Sequence, residues 1–106
     1  MEKVKKEATD LFSACRFKLA IEKFSECLEL DPLNAQYNSS ILFNRAVAYS
    51  KLSQNTTALS DLDKAIELKD DYAKAYFKRA EVNLILEHYE EAVRDYEKVQ
   101  QLDPSM

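Results

Sequence analysis

FKLAIEKFSECLELDP at residues 17–32, NTTALSDLDKAIELKD at 55–70 and YEEAVRDYEKVQQLDP at 89–104 are three versions of one stretch. Placing Ala20, Ala58 and Ala92 in register aligns Phe24 with Leu62 and Tyr96, Cys27 with Ala65 and Val99, and Leu30 with Leu68 and Leu102. Pro32 and Pro104 then coincide, with Asp70 between them. From Ala20 to Ala58 is 38 residues and from Ala58 to Ala92 is 34, so the unit is about 34 residues with a four-residue insertion after the first copy. A unit of this length cannot bury its apolar face alone. It must stack on its neighbours, and such stacks present a concave surface to other proteins.

Each copy is preceded by a second amphipathic stretch. Val4, Ala8, Leu11 and Phe12 recur at helical spacing, as do Ala20, Ile21, Phe24, Cys27 and Leu28. The pattern predicts helices over about 2–14, 18–30, 36–52, 56–68, 72–86 and 90–102. Ala8, Ala46 and Ala80 are equivalent small positions in the leading helices, and Ala20, Ala58 and Ala92 in the trailing ones. Small residues there let paired helices approach closely. The sequence has no glycine, so the short breaks at Cys15-Arg16, Ser53-Gln54-Asn55 and Glu87-His88 need another residue for the usual left-handed terminator. Ser53 and Asn55 are the expected substitutes. Asp31-Pro32 and Asp103-Pro104 close two units, because the residue before proline is pushed out of helical geometry.

The expected fold is all-α: one domain, residues 1–106, with repeats at about 1–34, 39–72 and 73–106. An apolar share of 46% supports a continuous helical core. No apolar run approaches the roughly 20 residues of a membrane helix, and the start of the chain is read as a charged helix rather than a signal peptide. Two distant cysteines are not a disulfide framework. Cys27 is expected to be buried and Cys15 exposed. A reducing, cytoplasmic compartment, with the nucleus also open, is the expectation.

Catalysis is not expected. The single histidine, His88, sits in a break and is read as a solvated turn residue. Without glycine there is no phosphate-cradling loop, and no His/Cys cluster has metal spacing, so neither cofactor nor metal is expected. Glu90-Glu91 and Asp70-Asp71 are read as first-turn acids that suit the helix dipole. With 15 basic and 19 acidic residues, a net charge of −4 argues against nucleic acid.

The repeat resembles the tetratricopeptide repeat (TPR) over essentially the whole chain. Ala46 and Ala80, Tyr49, Ala20/Ala58/Ala92, Phe24/Tyr96 and Pro32/Pro104 fall on the family's landmarks. Cys27 and Val99 replace alanine, Asp70 replaces proline, and Leu11 and Asn83 stand where Tyr49 carries the aromatic. The resemblance implies three helix-turn-helix units stacked in a right-handed superhelix, with leading helices lining the concave groove. The leading helices carry Lys3, Lys5, Lys6, Arg45, Lys51, Lys74, Lys78 and Arg79; Glu22, Glu26, Glu29, Asp61, Asp63, Glu67, Asp95 and Glu97 lie on the trailing ones. A groove more basic than the whole chain would attract an acidic, extended peptide.

TPR domains of chaperone co-factors hold the C-terminal carboxylate of heat-shock protein 70 or 90 in a five-residue carboxylate clamp. Lys5, Asn44, Lys74 and Lys78 match that pattern, and Thr9 stands where the family has Asn. The spacings Lys5/Thr9 and Lys74/Lys78 put each pair on one helical face. A terminal carboxylate with an aspartate side chain presents several acceptors, which lysine meets with charged donors and asparagine with an amide that does not titrate. Val47 and Ser50 are expected to line the groove near Asn44. Arg45 and Arg79 are assigned to pairs with trailing-helix acids. The third unit is also similar to the last TPR segment of the co-chaperones that carry TPR arrays ahead of a J domain, which implies an excised domain whose last trailing helix has an apolar face uncovered. Binding of an unrelated peptide or helix, and weak self-association through that C-terminal helix, are the alternative readings.

Overall fold

A computed structural model describes residues 2–30 and 34–105. The described residues form six helices: α1 Glu2–Ser13, α2 Phe17–Leu30, α3 Ala35–Lys51, α4 Asn55–Leu68, α5 Ala73–Ile85 and α6 Tyr89–Leu102. They pair as three helix-turn-helix units, α1/α2, α3/α4 and α5/α6, stacked as a right-handed superhelix with a concave groove. Each boundary lies within one residue of the expected one. Asp31-Pro32 falls outside the described residues.

The glycine-free breaks share one solution. Cys15, Ser53 and Glu87, equivalent in the three units, adopt φ of 61°, 63° and 64°. The following amide reaches back five residues in each case, Arg16 N to Leu11 O at 2.9 Å, Gln54 N to Tyr49 O at 2.9 Å and His88 N to Asn83 O at 2.8 Å. That is the six-to-one bond of a Schellman terminus. Its two hydrogen bonds outweigh a left-handed penalty of roughly 1–2 kcal/mol for a residue with a Cβ. Ser53 is therefore left-handed as expected. Asn55 is not: it is the first residue of α4, because the break closes one residue earlier.

Between α4 and α5 the chain differs from expectation in another way. Lys69 leaves the helix in an extended conformation, φ −145°, and Asp70-Asp71 occupy the turn. They precede α5 instead of filling its first turn; Tyr72 is the residue that caps it. Glu90 and Glu91 do lie in the first turn of α6.

The small residues do what their spacing implies. Ala8, Ala20, Ala46, Ala58, Ala80 and Ala92 are all fully buried where leading and trailing helices cross. Phe24 and Cys27 pack with Ala8, Ala20 and Ile41, so the first core already includes a residue of the second unit. Leu62, Ile66, Tyr76, Val82 and Val99 make a second core that runs from α4 to α6. Burying a leucine or phenylalanine fully contributes about 1.5–3 kcal/mol, so each core depends on the neighbouring repeat. At the last unit Tyr89, Val93 and Ile85 remain exposed. Among the described residues no helix is long and apolar enough to cross a membrane.

Candidate functional site

Six lysines and two arginines were placed on the leading helices, and the fold separates the two residue types. Arg45 turns toward α4, donating Nε and Nη2 to the two oxygens of Asp61 at 2.8 Å each, and gives Nη1 to Ser25 Oγ of α2 at 3.0 Å. Arg79 repeats this one unit later. It donates Nε and Nη2 to Asp95 at 2.8 Å and Nη1 to Asp63 of α4 at 2.9 Å. Asp61 and Asp95 are buried, and the planar guanidinium satisfies both carboxylate oxygens at once. The hydrogen bonds with Asp61 and Asp95 hold the two guanidinium groups above their usual range. The arginines are thus spent on holding units together, as expected for their pairing. That each also grips the preceding trailing helix was missed. The signal was present: Ser25 and Asp63 occupy one repeat position, two residues beyond the one that holds Asp61 and Asp95.

Among the described residues no leading-helix lysine is ion-paired with a trailing-helix acid. On α1, Lys5 is half-buried, with its ammonium 5.0 Å above the centre of the Tyr37 ring of α3. Thr9 is exposed one turn later, and its hydroxyl donates to the Lys5 carbonyl oxygen. In that rotamer its proton is used within the helix. Asn44 and Val47, half-buried on α3, are one turn apart and so share a side. Ser50, one turn beyond Val47, donates its hydroxyl to Oδ1 of Asn55, the first residue of α4, at 3.3 Å. On α5, Lys74 is exposed, and the Lys78 ammonium is 3.8 Å from Glu81.

Leading helices meet at one end of this surface. The Phe43 and Tyr72 rings lie 5.3 Å apart and bring α3 against the start of α5. Beside them is a polar cleft of about 450 Å³ lined by Lys5, Tyr37, Ser39, Ser40, Lys69 and Tyr72 among others. Ser39 and Ser40 donate their hydroxyls to Gln36 and Tyr37 carbonyls at 3.0 and 2.9 Å. Lys69 lies 5.0 Å over the Tyr72 ring. Burial pushes the Tyr72 phenol above its usual range, so it stays neutral. Sequence reasoning found Lys5 here but not Lys69, Tyr37 or Tyr72. These flank the starts of leading helices, where the repeat pattern is weakest.

His88 caps α6, exposed, with Nδ1 3.1 Å from Asn83 Oδ1. Among the described residues no group of three or more His, Cys, Asp or Glu side chains could hold a metal. Cys27 is buried and Cys15 exposed, both as free thiols.

Family profiles described as Tetratricopeptide repeat match residues 39–72 and 73–106. The chain is 39% identical over 104 residues to the DnaJ homolog subfamily C member 7 homolog of Dictyostelium discoideum, covering 98% of this chain and 19% of that protein. It is 43% identical over 99 residues to DnaJ homolog subfamily C member 7 of Homo sapiens, covering 93% and 20%. The chain therefore spans about a fifth of the length of these curated relatives. Among solved structures, the first TPR of Spaghetti (RPAP3) bound to the HSP90 peptide SRMEEVD superposes with a TM-score of 0.90 at 33% identity, over 97% of this chain and 79% of that one.

Proposed function

Because the chain belongs to the tetratricopeptide repeat family, we propose that its groove binds the acidic C-terminal tail of a heat-shock protein 90 or 70 chaperone. The observation that carries this reading is the division of the cations. Both arginines are withdrawn to trailing-helix acids, whereas Lys5, Lys74 and Lys78 stay on the leading helices with Asn44 between them. In this arrangement Lys74 and Lys78 take the oxygens of the last side chain and main chain, Asn44 donates its amide, and Lys5 adds charge from α1. Within a longer protein the domain would tether a co-chaperone to its chaperone. The matched segment is a binding module, without a catalytic role of its own, and it acts in the cytoplasm or nucleus.

Titration calorimetry with the peptide SRMEEVD, as free acid and as C-terminal amide, tests this. The free acid should bind at micromolar affinity, about 8 kcal/mol, and weaken as salt rises. The amide should lose most of that binding. Equal affinity for acid and amide would sink the clamp and leave a general peptide groove.

A second reading has its own observation. Tyr89 and Val93 of α6 are 59% and 54% exposed, so the last unit offers an apolar face through which two copies would associate weakly. Light scattering across concentration tests it, and added tail peptide should leave that association unchanged.

A further inference from the structure

The repeats differ at one place that the groove does not use. Tyr49 on α3 and Asn83 on α5 are equivalent, each four residues after the arginine that grips two trailing helices. In the second unit the Tyr49 ring lies against Arg45, 5.8 Å from guanidinium carbon to ring centre. In the third unit the aromatic has moved. Tyr76, from the preceding helical turn, covers Arg79 at 5.5 Å, and the following turn carries only Asn83.

Where the second unit has a ring, the third has a hollow. A cleft of about 450 Å³ is lined by Arg79 and Asn83 of α5, Leu59 and Asp63 of α4, and His88, Glu91, Arg94 and Asp95 at and after the start of α6, where Arg94 lies 3.6 Å from Glu91. Its walls are held in place. Arg79 is fixed by its bonds to Asp95 and Asp63, and the buried Asn83 carboxamide oxygen is 3.1 Å from His88 Nδ1. A preformed hollow binds without the ordering cost of a flexible one. Leu59 supplies an apolar wall, the guanidinium a cationic edge for a π face, and the Asp63 and Glu91 carboxylates acceptors at the mouth.

We propose that this cleft is a socket for the tyrosine side chain of a partner polypeptide, which docks on the trailing-helix face between α4 and α6. The ring takes the place that Tyr49 fills in the preceding unit, and its hydroxyl donates to a carboxylate at the mouth. The site is separate from the leading-helix groove, so a partner seated there leaves the groove open for a peptide.

The test is amide NMR of the domain titrated with N-acetyl-tyrosinamide, with N-acetyl-cyclohexylalaninamide as a side chain of similar bulk and no π face. The tyrosine compound should shift the amides of Leu59, Asp63, Asn83 and His88 and bind about two- to five-fold more tightly than its saturated counterpart. Asn83→Tyr should fill the hollow and abolish those shifts while SRMEEVD binds as before. Leu59→Gln serves if Asn83→Tyr does not fold, and should weaken the tyrosine compound while the peptide affinity is kept. Equal shifts from the two compounds, shifts that map elsewhere, or shifts that persist in folded Asn83→Tyr or Leu59→Gln would each overturn the socket. SRMEEVD binding is read separately, so failure of the socket and failure of the groove are distinct results.

Discussion

The first unit and the two that follow it solve one problem with opposite charges. Arg45–Asp61 and Arg79–Asp95 are bidentate, at 2.8 Å, with carboxylates only 4% and 7% exposed. The equivalent residues of the first unit are Glu7 and Lys23, the same pair reversed, with a single contact of 3.5 Å and side chains 44% and 36% exposed. Attraction to Glu26 first, and then to Glu7, raises the Lys23 ammonium above its usual range, so its partnership is divided. The arginines each bind two trailing helices from successive units. The Glu7–Lys23 pair joins only the two helices of its own unit. Position alone therefore does not set what a repeat residue does. A planar guanidinium with five donors can serve two helices, and an ammonium–carboxylate contact at the surface cannot.

The same contrast runs through the groove. The third unit presents Lys74 exposed on α5, whereas in the first Lys5 lies on Tyr37 and the Thr9 hydroxyl is bonded to the backbone of its own helix. The weaker half of the proposed clamp belongs to the unit with the weaker internal pair.

The hardest test of this contrast is Arg79→Ala. It strands the buried Asp95 carboxylate and removes the tie to Asp63, and should destabilise the domain by about 3–5 kcal/mol in urea unfolding. Arg79→Lys should recover only part of that. A loss below about 1 kcal/mol would mean that the guanidinium is not what joins the second and third units. Arginine titrates so far above neutrality, and is raised further here by its hydrogen bonds to Asp95, that the guanidinium stays charged across neutral pH and its own deprotonation would remove the contribution at extreme alkalinity.

Binding comes next in size. Lys74→Ala should weaken free-acid SRMEEVD by at least about 1.5 kcal/mol in calorimetry with the melting temperature unchanged, since an exposed helical lysine carries little stability. Thr9→Asn should strengthen the first unit's half, tightening the same peptide by about 0.5–1.5 kcal/mol with no gain for the amide. Wild-type affinity in both variants would place the carboxylate elsewhere.

The left-handed position is shared by all three units and so separates backbone from charge. Glu87→Gly should stabilise by about 1 kcal/mol, because glycine lacks the Cβ that opposes φ of 64°. Cys15→Gly should give a similar gain in the first unit, whatever the charges nearby. Unequal gains would show that the breaks are strained differently.

The smallest effect is expected for Lys23→Ala, which should leave the urea midpoint at the wild-type value, as loss of an exposed pair usually does. A drop comparable to that of Arg79→Ala would erase the distinction between the units.

By itself the sequence determined the repeat, the six helices, their register and the buried alanines, because period and residue size are local and recur three times. It also determined which cations stand on leading helices and that Arg45 and Arg79 pair with acids. Tertiary structure decided what each of those side chains reaches. The third bond of each arginine depends on the spacing between successive units, which no single repeat encodes. Asp70 and Asp71 became turn residues because Lys69 leaves α4 extended. Cys15 and Glu87 became left-handed because a Schellman terminus sets the conformation and the residue adapts to it. The cleft around Lys5 and Lys69 gathers residues from three separate segments, and the hollow beside Asn83 exists because one unit lacks a ring that another has. Both are spaces between elements, and packing alone creates them.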